Sequence, residues 1–315
     1  MKVCIIGAGN VGATLAYTLL LKGEVDTISL IDSNAEKAIG EALDLAHGIP
    51  FAANATVTAE GYEGVANADV IVITAGRNRR ADESRLDLAR ANTRIMEEIT
   101  DHIKPHYHGA ILIIVSNPMD VLTYVAYRRM GISKKHIFGS GTVLDTSRFR
   151  YLLGKEFDVD PRNIHAYIIG EHGDSSVPVW SMASFGQIPV LQYSAPGRSL
   201  GSSEDRERIA RSVVTAGKEV IQRKGATFYA IALSVSRILE GIFGNEKSIF
   251  TVSSYIEDYY GISGVCLSLP AVITRDGIRE ILPIRLTVAE QEQLSHSADV
   301  LKDIIREVGY EYAAV

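Results

Sequence analysis

Cysteine is nearly absent from this 315-residue chain, with only Cys4 and Cys266 present. Two thiols cannot build a disulfide framework, and their separation lacks metal-ligand spacing. They read as buried thiols of a reducing compartment. A basic surplus is also missing: 32 Lys and Arg stand against 38 Asp and Glu, a formal charge of −6. A general nucleic-acid binder would carry a basic face, so that class is set aside, while local basic pockets for small anions are not. No apolar run approaches the roughly 20 residues of a membrane-spanning helix. A strand-like run starts at residue 3 and leaves no room for a signal peptide. The expectation is a cytoplasmic protein with no resident metal, acting neither on nucleic acid nor in a membrane. There is no internal repeat and no low-complexity tract, and the length suits one large or two fused domains.

What is present is an alternation. Short apolar runs at residues 3–6, 27–31, 70–74 and 110–116 are separated by amphipathic stretches at 11–22, 34–47, 86–103 and 120–130. Near-continuous apolar strands belong to a parallel sheet covered on both faces. Alternating strands and helices imply a doubly wound α/β sheet with right-handed crossovers. The pattern changes near residue 145. Residues 164–170 read as a strand, 179–193 as a hairpin-like region, and 204–243 as long helical periodicity. Residues 250–255 and 265–273 look like antiparallel strands, and a final helix starts at Thr287 with Glu290 placed for a capping box. Residues 196–203 form a Gly/Ser-rich surface loop. The predicted organisation is a nucleotide-binding domain over 1–145 and an α+β catalytic domain over 146–315.

Gly7-Ala8-Gly9-Asn10-Val11-Gly12 fits G-x-G-x-x-G between the first strand and first helix. Its glycines permit a tight turn, close approach of backbone to a pyrophosphate, and close helix–strand packing. The helix N-terminus then stabilises the phosphates. Asp32 follows the second strand, 20 residues past Gly12. A carboxylate there bonds the adenosine ribose hydroxyls and repels a 2′-phosphate, so NAD is favoured over NADP. A merely structural glycine turn leaves Asp32 unexplained. The pattern is that of a Rossmann sheet.

Gly170-Glu171-His172-Gly173-Asp174 follows the strand-like run of the second half. Hydride transfer to a carbonyl leaves an alkoxide that needs a proton, and a histidine can supply it and take it back. Such a histidine must be held through its other ring nitrogen, and Asp145 is a candidate partner. Arg148, three residues on, can share a helix face with Asp145 and grip a carboxylate with its fork. A His or an Arg taken singly is equally explained by structural bonding. Four arginines fall within residues 77–85, after the strand at 70–74. They are either a solvated face or a lid that closes over an anionic substrate at the carboxyl end of the sheet.

Over essentially its whole length the chain resembles the L-lactate/L-malate dehydrogenase family. The matching segments are GAGNVG with Asp32, TAGRNRRADESRLDL, VSNPMDV, GSGTVLDTSRFR, IIGEHGDSSVPVWS and KGATFYAIALSV. The resemblance implies that His172 is the proton donor and acceptor, with Asp145 its partner. Arg148 would bind the substrate carboxylate, and Arg85 would polarise the carbonyl and stabilise the developing alkoxide. Asn117 would contact substrate and nicotinamide, and Thr227 would line the pocket near the substrate side chain. The cofactor set comprises Gly7, Gly9, Val11, Gly12 and Asp32, completed by Lys37, Gly76, Val115 and Asn117. The family's dimers and tetramers imply a homotetramer.

Substrate choice within the family turns on one lid position, occupied here by Arg79. Arginine there suits the second carboxylate of oxaloacetate, whereas pyruvate would leave the charge unpaired. GEHGD followed by SSVPVWS, together with Thr227, resembles the lactate branch. Arg150 and His165 fall where bacterial members bind fructose 1,6-bisphosphate between subunits, or they are simply interface residues. Ala81-Asp82 replaces the usual Pro-Gly of the lid, which alters its stiffness. The balance points to pyruvate and L-lactate, with malate dehydrogenase and an inactive NAD-binding subunit as the alternatives.

Overall fold

The computed structural model describes residues 1–52, 54–78, 83–195, 198–200 and 202–311. The first half comprises β1 (Lys2–Ile6), α1 (Asn10–Lys22), β2 (Thr27–Ile31), α2 (Ala35–Gly48), β3 (Thr56–Ala59) and β4 (Val70–Ile73). It continues with α3 (Arg85–Ile103), β5 (Ile111–Ile114), α4 (Met119–Met130) and β6 (Ile137–Gly139). The strands are parallel in the order β3-β2-β1-β4-β5-β6, the doubly wound arrangement of a dinucleotide-binding sheet. Every residue of β4 and β5 is buried, because helices cover both faces. β3 and β6 do not show as apolar runs. β3 is an edge strand of the form Thr-Val-Thr-Ala with no fully buried residue, and β6 is only three residues long.

The second half contains α5 (Val143–Phe157), β7 (Ile164–His165), β8 (Ile168–Ile169), β9 (Val177–Pro178), β10 (Ser184–Phe185) and β11 (Ile188–Pro189). Then come β12 (Ser194–Ala195), β13 (Arg198–Ser199), α6 (Ser203–Lys224), α7 (Tyr229–Phe243), β14 (Ser248–Ile256), β15 (Val265–Thr274), β16 (Gly277–Ile281) and α8 (Val288–Glu307). The antiparallel strands expected at 250–255 and 265–273 are β14 and β15. They do not form a sheet of their own: β14 lies beside β6, and the sheet runs on as β6-β14-β15-β16 to nine strands. One core cluster therefore draws on both halves, joining Val3, Ile5 and Val72 to Val235, Val252 and Ile273.

Two expectations need correction. The strand read at 164–170 is two short ones, β7 paired with β10 and β8 with β9. Its backbone is satisfied locally: the Ile168 N–H donates to Thr146 Oγ1 at 3.0 Å, and its carbonyl accepts from Thr142 Oγ1 at 2.5 Å, both from α5 or its N-cap. The single periodic stretch at 204–243 is two helices, broken where Gly225 takes a φ of 87°. The loop expected at 196–203 lies partly outside the described residues, and Ser202 caps α6 by accepting the Asp205 N–H at 3.1 Å.

The capping box at Thr287 is present, with the Thr287 side chain bonded to the Glu290 N–H and the Glu290 carboxylate returning to the Thr287 N–H. Glu290 also accepts from both the N–H and hydroxyl of Ser181, at 3.0 and 2.7 Å, tying α8 to the segment that follows β9. Thr287→Ala is expected to lower the unfolding free energy by about 1 kcal/mol, and Glu290→Ala by about 1–3 kcal/mol because Ser181 also loses its partner. Urea denaturation of the two variants checks the order.

Candidate active site

The cofactor turn is fixed by packing that only glycine permits. Gly7 has a φ of 109°, and a Cβ there would meet Ala75 N at 2.6 Å. A Cβ on Gly12 would lie 1.9 Å from the Gly7 carbonyl oxygen. Gly9 differs: a Cβ there would meet nothing within 4 Å, so it faces open space at the start of α1. That helix begins without a side-chain cap and without an acidic residue in its first turn. Its free N–H groups and positive dipole end thus point to where a pyrophosphate would sit. Asp32 follows β2 directly, with its carboxylate oriented by two backbone donors, Ala8 N at 2.7 Å and Asn34 N at 2.9 Å. These features fit NAD, and the Asp32 carboxylate could hold its ribose. Lys37 is exposed in the first turn of α2, while Val115 is buried and Gly76 packs against Asn92 and Ser116.

The second cluster forms around one buried carboxylate. Asp145, in the first turn of α5, is only 6% exposed. Its Oδ2 lies 2.5 Å from His172 Nδ1, and its Oδ1 accepts from Arg148 at 2.9 Å. Burial opposes the charge on Asp145, but the His172 and Arg148 cations bonded to it outweigh that and hold its carboxyl below the ordinary range. The Asp145 charge in turn raises His172 to about 9, against the opposing effect of burial, with further help from Asp120. With Nδ1 committed to Asp145, Nε2 is left as the exchangeable proton site of a side chain still 26% exposed. The geometry brings together His172, Asp145 and Arg148 from positions 27 residues apart.

Arg85 opens α3 and pairs with Asp174 at 2.6 Å, both side chains being largely exposed. The pair thus lies at the surface, with Asp174 two residues past His172 in sequence. Asn117 is exposed after β5. Thr227 lies half-buried in the break between α6 and α7, and α6 passes over Arg148, a Cβ on Gly217 lying 3.6 Å from the guanidinium. Arg150 turns inward, donating to the Ala166 carbonyl at 3.1 Å and stacking over Tyr167. His165 is exposed on β7, next in sequence to Ala166. Arg79 and Ala81-Asp82 lie outside the described residues.

Three residues at the site escaped the sequence reading. Asp120 accepts the His172 backbone N–H at 2.7 Å. Its position in the first turn of α4 reads as ordinary dipole matching. Asp174 pairs with Arg85 across 89 positions, a separation no local pattern encodes. Asn92, 2% exposed on α3, bonds the N–H and carbonyl of Arg77 and the carbonyl of Asn117. It locks the start of the arginine-rich segment to the end of β5. Glu83 closes the same segment from its far side by an ion pair with Arg77. Among the described residues, no group of three or more His, Cys, Asp or Glu is placed to hold a metal, and no helix is long and apolar enough to cross a membrane.

Residues 1–139 match the family model for the lactate/malate dehydrogenase NAD-binding domain, and residues 142–311 match that for the lactate/malate dehydrogenase alpha/beta C-terminal domain. An L-lactate dehydrogenase of Acetivibrio thermocellus is 47% identical over 305 residues, covering 97% of this chain and 96% of its own. L-lactate dehydrogenase 1 of Peribacillus psychrosaccharolyticus is 44% identical and covers 96% of each chain. Among solved structures, the minor L-lactate dehydrogenase of Enterococcus mundtii, in a ligand-bound form, superposes with a TM-score of 0.94 at 36% identity, covering 98% of this chain and 99% of its own. With both halves matched and the hydrogen-bonded carboxylate–imidazole–guanidinium cluster in place within the second, the chain belongs to the lactate/malate dehydrogenase family.

Proposed function

We infer that this chain is an NAD-dependent L-lactate dehydrogenase, interconverting pyruvate and L-lactate. The observation that carries the chemistry is the Asp145 carboxylate shared between His172 Nδ1 and Arg148. The relatives' names and the Thr227 and SSVPVWS segments favour pyruvate over oxaloacetate. Arg79 favours the reverse at one position, and we read it as a source of residual oxaloacetate turnover. The complete catalytic set argues against an inactive subunit.

In this reading NAD, held by Gly7, Gly9, Val11, Gly12 and Asp32 and flanked by Lys37, Gly76, Val115 and Asn117, supplies or accepts the hydride. Everything else is done by side chains. Arg148 binds the substrate carboxylate with the face of its fork not used by Asp145. Arg85 leaves Asp174 and turns to the carbonyl oxygen; an exposed ion pair is worth only about 0–1 kcal/mol, so this exchange is easily offset. His172 Nε2 donates a proton to that oxygen as negative charge develops, and Asp145 stabilises the imidazolium beforehand. In the oxidative direction the neutral imidazole takes the proton from the hydroxyl. Thr227 and Asn117 border the substrate. The division near residue 145 then separates cofactor binding from proton transfer, and the two buried free thiols accord with a cytoplasmic setting.

We further propose a homotetramer with an anionic effector site. Exposed apolar side chains on neighbouring helices, Tyr17 and Leu21 on α1, Ile39 and Leu43 on α2, and Leu233 on α7, offer a surface for a second copy. A cavity of about 540 Å³ lies beside Arg150 and is lined also by Arg162 and Arg237. Arg150, which lines this cavity, and His165, exposed on β7 outside its lining, are the residues proposed to take fructose 1,6-bisphosphate.

Followed at 340 nm, NADH oxidation is expected to be faster with pyruvate than with oxaloacetate; the opposite order overturns the substrate assignment. Arg79→Gln is expected to lower kcat/KM for oxaloacetate by about 10- to 100-fold, the worth of one charged hydrogen bond or two. His172→Asn should reduce kcat by about 10²- to 10⁴-fold while retaining NADH binding. Because imidazolium is the reactive form for reduction and His172 is raised to about 9, pyruvate kcat/KM is expected to stay level through neutrality and fall above that pH, with lactate oxidation rising over the same interval. Fructose 1,6-bisphosphate is expected to lower the KM for pyruvate, and Arg150→Gln to remove that response; unchanged kinetics at millimolar effector discards the effector site.

A further inference from the structure

His172 is held from behind as well as from the side. Asp120 is 2% exposed, and while its Oδ2 accepts the His172 N–H at 2.7 Å, its Oδ1 is buried with no hydrogen-bond partner. Two other buried oxygens without partners belong to the same region, the hydroxyls of Ser253 on β14 and Ser268 on β15. These serines are directly opposite in the β14–β15 ladder, so their side chains project from one face of the sheet. That face is the one α4 covers: a Cβ on Gly139, the β6 partner of Ser253, would meet Met119 Sδ, Thr123 Oγ1 and Ser253 Cβ. The Ser253 hydroxyl is near enough to Asp120 to favour its charge, though not aligned to bond it. The backbone of Ser268 exchanges two 2.9 Å hydrogen bonds with Gly170, two residues before His172. The layer between α4 and the sheet thus reaches the His172 loop at two backbone points.

Holding a backbone N–H requires only a neutral acceptor, which asparagine would supply. A carboxylate in the same place must be desolvated, and here one of its oxygens receives no bond in return. The charge therefore has work that the hydrogen bond does not account for. We propose that Asp120 is a positioning residue for proton transfer, fixing the His172 loop through its N–H and placing a second negative charge behind the imidazole, with Ser253 governing how readily that charge forms. The proposal rests on His172 being the acid–base group.

The surrounding charges agree in direction. Burial pushes the Asp120 carboxyl up to about 7, Ser253 and the His172 N–H and charge pull it back, and Glu171 adds to the rise. His172 is raised by Asp145 first and by Asp120 in addition, while Arg148 acts the other way. Cys266 on β15 also faces Asp120, but burial keeps its thiol protonated. As pH rises through the ionisation of Asp120, His172 gains basicity and keeps its proton to higher pH. The two groups then titrate as a linked pair.

The test reads His172 without turnover. Imidazole nitrogen shifts are followed by NMR against pH in the cofactor-free protein, for the native chain, Asp120→Asn and Ser253→Ala. Asp120→Asn is expected to lower the His172 midpoint by about one pH unit, as loss of a nearby charge does, and to move the alkaline fall of pyruvate kcat/KM to lower pH with it. Ser253→Ala is expected to lower the midpoint by less, because the carboxyl is then harder to ionise. An unchanged midpoint in Asp120→Asn, or a loss of activity uniform across pH, overturns the proposal. If Asp120→Asn does not fold, Ser253→Ala decides, and an unchanged midpoint there overturns it equally. Full turnover in His172→Asn would instead sink the acid–base reading, and a lowered midpoint in Asp120→Asn would still leave the electrostatic link standing.

Discussion

The Asp145 carboxylate bonds a potential cation on each oxygen, His172 on one side and Arg148 on the other. A lone carboxylate this deeply buried would be costly, and a lone imidazolium nearly so. Together they are tolerated, and the rest of the site follows from the geometry that keeps them together. α5 must present Asp145 and Arg148 on one face, one helical turn apart. The short strands β7 and β8 must run back under α5 so that the following loop delivers His172 to Nδ1–Oδ2 distance. Thr142 and Thr146, which bond the Ile168 backbone, hold that return path in place. The cluster thus arrives with its arginine oriented by Asp145 and its imidazole biased toward the protonated form by the same carboxylate.

The sheet supplies the second constraint. The parallel strands end on one side of the molecule, where β1 and β2 present the glycine turn and Asp32, and β4 and β5 lead to Gly76 and Asn117. Asn92 crosses between the last two, so the root of the arginine-rich segment and the residue after β5 move as one piece. β14 and β15 extend the same sheet and carry the Ser268–Gly170 bonds that anchor the histidine loop. The glycine turn and the Asp145–His172–Arg148 cluster are therefore positioned by one hydrogen-bonded surface.

Features with a short-range chemical logic were legible in the sequence. The glycine turn with Asp32 spells out its own backbone demands, and Thr287 with Glu290 predicts a cap that is present. Long apolar strands and strongly periodic helices also stood out. Among the strands that were missed, β3 is polar at an edge, and β6, β9 and β13 are too brief to set up a period. The α6–α7 break was hidden because amphipathic periodicity persists on both sides of Gly225, and only a positive φ marks the turn. Asp145 and Arg148 share a helical turn and so could be paired on paper, whereas Asp174 with Arg85 and Asp120 with the His172 N–H are joined only by the fold. The family resemblance named roles for residues that pattern alone could not distinguish from structural polar groups.

One core cluster runs from β1 and β4 through α7 to β14 and β15, taking side chains from both halves of the chain. A clamshell enzyme gains access to its cleft by swinging two bodies about a hinge. Here that route would tear a continuous apolar interior and separate strands of a shared sheet, so the halves are welded. Any opening is confined to surface segments and side chains outside that interior, such as the exposed Arg85–Asp174 pair, and leaves the Asp145–His172–Arg148 cluster assembled.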